Sequence, residues 1–294
     1  MVRYKGKDKI EFGHKNYPEE SYGASPGATP TTLFRIGYVT ELTPVYDPEL
    51  NRIFALRDTD EEKAVAILSR RKNVGLRIQW LQGQLGDYWQ KFMLQGDNFF
   101  AEAKIYRDAG SELYLFWSGL KMDVLSVRCG VGEPITWAAE FIGKLFDSKD
   151  TTIHTYGSSP GPVWEWDDAY VEKSEDDVQY TVIPDVTDWE FRVDNRLKPN
   201  FVFNDTGSKQ LTSLEEMYQH CDARLTMNLQ DQTYLDYLVD QTEVYLKLNL
   251  PSSQWIKFNK GKFRLVEPVL KPEDLIACRL EFEGAYLTHS FTGT

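Results

Sequence analysis

The sequence has no apolar run near the roughly 20 residues that span a bilayer, and its opening, Met1 to Lys9, lacks the apolar centre of a signal peptide. These absences predict a protein made and folded in a cytoplasm, without a membrane partner. Cysteine is scarce: Cys129, Cys221 and Cys278 are odd in number and far apart, which predicts buried reduced thiols, not a disulfide framework. The sequon at Asn204-Asp205-Thr206 then carries no meaning. Also missing are a G-x-S-x-G elbow, a Walker loop, a dinucleotide glycine fingerprint and an H-E-x-x-H pair. The four histidines, His14, His154, His220 and His289, lack the spacing that would aim two at one metal; each is expected at the surface or an interface. His220-Cys221-Asp222 joins an imidazole to a thiol, but neighbours on a strand point to opposite faces, which argues against a nucleophile pair. The acid pairs Asp167-Asp168, Asp176-Asp177 and Glu215-Glu216 are what 45 acidic residues produce by composition, and Ser213 followed by Glu216 reads as a capping box. No enzyme, no cofactor and no metal site is expected.

What is present is an ordinary folded composition. The chain has 41% hydrophobic and 14% aromatic residues, which excludes intrinsic disorder, and its 294 residues suit two domains. Thirty-three basic against 45 acidic residues leave a net charge of -12, which argues against a general nucleic-acid binder, because phosphate affinity comes from Lys and Arg. Residues 1 to 31 are rich in Gly, Pro, Ser and charge and read as an extended arm. A first domain over 32–147, a linker or insertion over 148–185 and a second domain over 186–294 follow. Alternation such as Leu76, Ile78 and Trp80 about Arg77 and Gln79 marks half-buried strands. The class is mainly β with short helices.

The two dense segments repeat each other in order. Phe34 matches Phe191, Leu76 matches Leu225, Asp87-Tyr88 matches Asp236-Tyr237, Phe116 matches Phe258, Gly119 matches Gly261, Phe141 matches Phe282, and Gly143 matches Gly284. The offset falls steadily along the chain, as in a collinear duplication whose second copy has lost loop residues. In each copy a strand passes into a helical turn, with Trp89, Phe92 and Met93, then Tyr234, Tyr237 and Leu238, returning at helical spacing. Trp137, Trp164, Trp166 and Trp189 on a β-scaffold would suit a carbohydrate-binding β-sandwich, with an unusual hydrolase as a related alternative. The alternation of Ile135, Trp137, Ala139 and Phe141 points instead to packing or subunit contact.

The order of Glu19-Glu20-Ser21-Tyr22-Gly23, Phe34-Arg35-Ile36, Gly119-Leu120-Lys121, the run Gly132 to Lys144 and Glu281-Phe282-Glu283-Gly284 resembles the tail tube proteins of long-tailed (siphovirus-like) bacterial and archaeal viruses. The similarity covers nearly the whole chain, and its motifs are structural. It implies two tandem β-sandwich or half-barrel tube domains, each with a flanking helix, whose sheets join those of neighbours into a closed β-barrel ring. Members with one domain form hexameric rings and those with two form trimeric rings of pseudo-sixfold symmetry; the resemblance places this chain with the latter, hexamers being the alternative. It implies a virion tail component, assembled in the host cytoplasm, whose rings stack around a channel for viral DNA during ejection. Its partners would be further copies, the tape-measure protein and DNA in the lumen without specific binding, and tail-end or baseplate proteins. Much of the negative charge is then expected at the bore. Residues 100–107 and 120–128, with partners 243–250 and 262–270, are expected in the barrel wall. The arm and the Pro44 to Arg57 connection are expected in ring-to-ring contacts. A tube-like part of a cell-encoded injection machine, or a tail-end protein, is the alternative within assembly.

Overall fold

The computed structural model describes residues 10–16, 32–47, 50–53, 66–69, 73–84, 89–94, 96–106, 112–201, 211, 213–228, 232–269 and 277–291. The first half runs β1 (Ile10–Asn16), β2 (Thr32–Arg35), β3 (Gly37–Asp47), β4 (Leu50–Ile53), β5 (Ala66–Ser69), β6 (Asn73–Gln82), α1 (Trp89–Leu94), β7 (Phe99–Tyr106), β8 (Glu112–Gly130), β9 (Thr136–Gly143) and β10 (Leu145–Lys149). A short β11 (Thr155–Tyr156) and a 3-10 turn at Trp166–Asp168 lead on. The second half runs β12 (Tyr170–Ser174), β13 (Thr181–Val182), β14 (Val186–Asp194), β15 (Lys198–Asn200), β16 (Ser213–Glu215), β17 (His220–Asn228), α2 (Thr233–Asp240), β18 (Val244–Leu250), β19 (Gln254–Val269), β20 (Ala277–Gly284) and β21 (Tyr286–His289). The chain is mostly strand, with few helices.

Eight strands form one continuous antiparallel sheet in the order β3-β6-β9-β8-β14-β17-β20-β19. It is open, not closed into a barrel. Alternation builds it: Leu76, Ile78 and Trp80 of β6, and Cys221, Ala223, Leu225 and Met227 of β17, are buried on one face. On that face lie two further ladders. β1, β7, the first part of β8 and β10 pair in the first half; β12, β18, the first part of β19 and β21 pair in the second. β8 passes from one ladder to the other at Gly119 (φ 63°) and β19 does so at Lys260 (φ 49°). The left-handed backbone makes each a bulge that bends a long strand. Both helices plug the interior. Trp89 of α1 touches the rings of Phe12, Trp80, Phe99 and Phe141, and Tyr234 and Tyr237 of α2 pack on Phe263.

The pairings of the second half reproduce those of the first, rung by rung. Leu76 stands opposite Phe141 and Ala223 opposite Phe282; Val74 stands opposite Gly143 and Cys221 opposite Gly284. Bulges recur between Val39 and Glu41 and between Val186 and Asp188, and again between Met122 and Val124 and between Phe263 and Leu265. Each half also inserts a hairpin between its first two sheet strands: β4 with β5, and β15 with β16.

These ladders revise several expected matches. Leu225 faces Leu280, so the counterpart of Leu76 is Ala223, two residues away on the same face. Phe34 lies in β2 against β1, whereas Phe191 lies in β14, where its counterpart is Pro44. Leu120 faces Phe99 as Gly261 faces Val244, so Gly119 corresponds to Lys260, and Trp117, not Phe116, corresponds to Phe258. Asp87 and Tyr88 lie outside the described residues. Ser213 opens β16, not a helix; the reciprocal capping box is at Glu165 and Asp168. Residues 10–16 are not arm but strand, with Phe12 and His14 buried. The remaining arm lies outside the described residues. Of the expected wall segments, 121–128 and 262–269 belong to the eight-stranded sheet, while 100–106, Leu120 and 244–250 belong to the covering ladders.

Candidate functional site: sheet edges and the internal joint

His14 is fully buried in the core, stacked on Trp89 at 4.8 Å, and burial drives its pKa down to about 3. His220 Nε2 lies 3.0 Å from Asp222 Oδ2, while Cys221 between them points into the core, its thiol pushed up to about 12 by burial and then by Asp222. Burial likewise raises Cys129 to about 11 and raises Cys278. Burial lowers His154 and His289, with Lys149 and Lys91 respectively adding to the shift. The acid pairs have structural partners: Asp176 accepts the backbone N–H groups of Gln179 and Val178, Asp177 pairs with Lys257 at 2.7 Å, and Glu216 pairs with Lys121 at 3.0 Å. Among the described residues, no three His, Cys, Asp or Glu side chains gather as a metal site would require. Trp137, Trp164 and Trp189 are buried, which leaves Trp166 the exposed ring of the four.

The sheet is organised instead around a joint. β14 of the second half pairs with β8 of the first, from Gly130 opposite Asp188 to Val124 opposite Asp194, so Cys129, Val127 and Leu125 meet Trp189, Phe191 and Val193 on the buried face. The β15–β16 hairpin that follows reaches back over the first half. Asn195 donates its backbone N–H to Asp123 O at 2.7 Å and its side-chain amide to Met122 O at 3.1 Å, and Leu197 N–H bonds Asp123 Oδ1 at 2.8 Å. Burial raises the Asp123 pKa, against the lowering effect of that Leu197 bond. Leu197, Leu211 and Leu214 pack with Ile142 and Phe201, and the Lys121–Glu216 ion pair closes the clasp. Of the matched residues, Phe141 and Gly143 lie in β9 and Phe282 and Gly284 in β20, all four buried.

Two edges remain. Among the described residues, β3 has a sheet neighbour only in β6, and the 262–269 stretch of β19 has one only in β20. Exposed edges invite pairing; each here carries a proline, Pro44 and Pro268. The sheet face away from the core is polar and cross-linked: Arg77 to Glu140 at 3.3 Å, Arg224 to Glu190 at 3.6 Å, and Arg264 to Glu281 at 3.0 Å and Asp222 at 3.4 Å. Glu140, Glu190, Asp222 and Glu281 are thus set against arginines.

No family model matches the chain, and no curated protein does. Among solved structures it is similar to a chain described as "Virion of native gene transfer agent (GTA) particle", with 10% identity over 44% of this chain and 98% of that one, at a TM-score of 0.35.

Proposed function

We propose that this protein is a structural, non-catalytic subunit of a virion tail tube, with two tandem tube domains. Copies join edge to edge into a closed trimeric ring of pseudo-sixfold symmetry, and the rings stack around a channel for viral DNA and the tape-measure protein, with tail-end or baseplate proteins at the ends. The observation that carries this reading is the joint between β8 and β14. There the second half continues the sheet of the first, and among the described residues two equivalent surfaces are left without a neighbour: β19, counterpart of β8, and β3, counterpart of β14. Transposing the internal register sets β19 against β3 of a second copy, with Glu267 opposite Val45 and Leu265 opposite Asp47. The contact is heterologous, so it must close into a ring or run on as a filament, and closing removes every exposed edge.

Directly opposite side chains on an antiparallel pair have Cβ atoms about 4.5–5.5 Å apart, within reach of a disulfide after small adjustment. Oxidising the Val45→Cys/Glu267→Cys variant should yield covalent multimers that neither single variant forms, and negative-stain electron microscopy should show rings of three chains. Rings of six chains would keep the tube and remove the tandem reading. A monomer at every concentration, with no cross-link, would overturn both.

A further inference from the structure

At the foot of the second repeat, Gln241, Lys260, Lys262, Phe263, Arg264 and Gly284 line an open groove of about 540 Å³. In the first repeat the corresponding place is filled. Glu216, just beyond β16, lies across Gly96 and meets Lys121 at 3.0 Å. The ladders equate Lys121 with Lys262. Gly96 and Gln241 correspond as well: both follow the helix in left-handed backbone, φ 76° and 54°, three residues before β7 and β18 respectively.

We infer that this groove receives the β4–β5 hairpin of a second copy. The inference rests on the ring reading, in which β3 of that copy lies beside β19 and its hairpin follows β3 as β15–β16 follows β14. Two observations support it. The two hairpins share one register, Asn51 opposite Leu68 answering Lys198 opposite Glu215, and the sequence has Leu50 and Ile67 at the positions of Leu197 and Leu214. The second is an exchange of size. A Cβ built on Gly96 would lie 2.2 Å from Glu216 Oε1, the movable end of that side chain, so Glu216 as placed lies directly over a glycine in left-handed backbone. In the second repeat the bulk has moved to Gln241, and the hairpin residue that corresponds to Glu216 is Ser69. The polar root differs: Pro48 replaces Asn195 and Arg264 replaces Asp123, so three hydrogen bonds of the internal clasp have no counterpart. The clasp between copies is therefore the weaker of the two.

A double-mutant cycle on the full chain tests this, read as the concentration of half-association in sedimentation velocity. Ser69→Glu should raise that concentration about three- to tenfold by setting bulk against bulk. Adding Gln241→Gly should restore it, and Lys262→Ala should cancel the restoration by removing the cation that an acid at position 69 would meet. Effects of Ser69→Glu and Gln241→Gly that are absent or independent would overturn the inference. The Val45→Cys/Glu267→Cys cross-link separates the two levels: if it forms while the cycle is flat, the groove fails and the ring stands. If neither association nor cross-link occurs, both fail.

Discussion

Single residues in this protein are placed so that equivalent positions carry different chemistry. His14 of β1 faces Ala101 and Lys173 of β12 faces Leu246, at matching rungs beside the two helices. Lys173 lies over the Tyr237 ring at 4.5 Å and donates to the Tyr237 hydroxyl at 2.9 Å. His14 is fully buried in an aromatic box, its ring nitrogens without a partner among the described residues, with its pKa lowered from 6.5 to about 3. The unfolded chain takes up this proton below pH 6.5 while the native state refuses it. The histidine's share of stability is therefore complete above 6.5 and lost as pH falls toward 3, at up to about 1.4 kcal/mol per pH unit. His14→Phe should be more stable than the parent by roughly 2 kcal/mol at pH 5, and by less at pH 7, in urea unfolding; a pH-independent difference would refute the account. The matched glycines differ in a similar way. A Cβ on Gly284 would lie 2.7 Å from Phe258 Cβ, close to the backbone, while one on Gly143 would lie 2.9 Å from the movable Leu120 Cδ2. Gly284→Ala should cost about 2–3 kcal/mol and Gly143→Ala about 1 or less, measured as the shift in urea midpoint.

At the scale of elements, α1 has only six residues, too few to hold helical structure in water alone. Its stability is borrowed through Trp89, which is fully buried. Trp89→Ala should cost about 3–5 kcal/mol and remove the near-ultraviolet circular dichroism of the aromatic cluster; a loss under 1 kcal/mol would show that the helix is not the plug described. Elements also show what the sequence made legible. The strands were readable from alternation, and Phe141 with Phe282, and Gly143 with Gly284, stand at corresponding rungs of the two halves. The register was not readable. A slip of two residues along a strand returns every side chain to its own face, so Leu225 served as well as Ala223 by pattern alone. Gly119 misled in another way: the left-handed bulge that uses glycine once is occupied by Lys260 the second time, and the nearby Gly261 drew the match by identity. β1 was invisible because only Phe12 and His14 carry its buried face. The β15–β16 hairpin was hidden because its clasp on Asp123 and Lys121 uses polar residues far away in sequence.

For the molecule as a whole, one hydrophobic cluster runs through both repeats, from Phe12 to Phe291, and one ladder crosses between them. The two repeats should therefore melt together. Calorimetry is expected to give a single transition whose calorimetric and van't Hoff enthalpies agree, and two resolved transitions would mean that the joint is weaker than its ladder implies. The joint has a further property that follows from parity. Each repeat gives the sheet four strands, all antiparallel, so its first and last strands run in opposite directions. An identical unit carried round by rotation alone then meets its predecessor antiparallel, as β14 meets β8. With three or five strands the same rotation would set like-directed strands together, demanding a different hydrogen-bond pattern and a different linker. An even strand count thus makes the unit indifferent to whether its neighbour is attached by a peptide or arrives as a separate chain. Fusing two such units into one polypeptide needs nothing more than a length of connecting backbone.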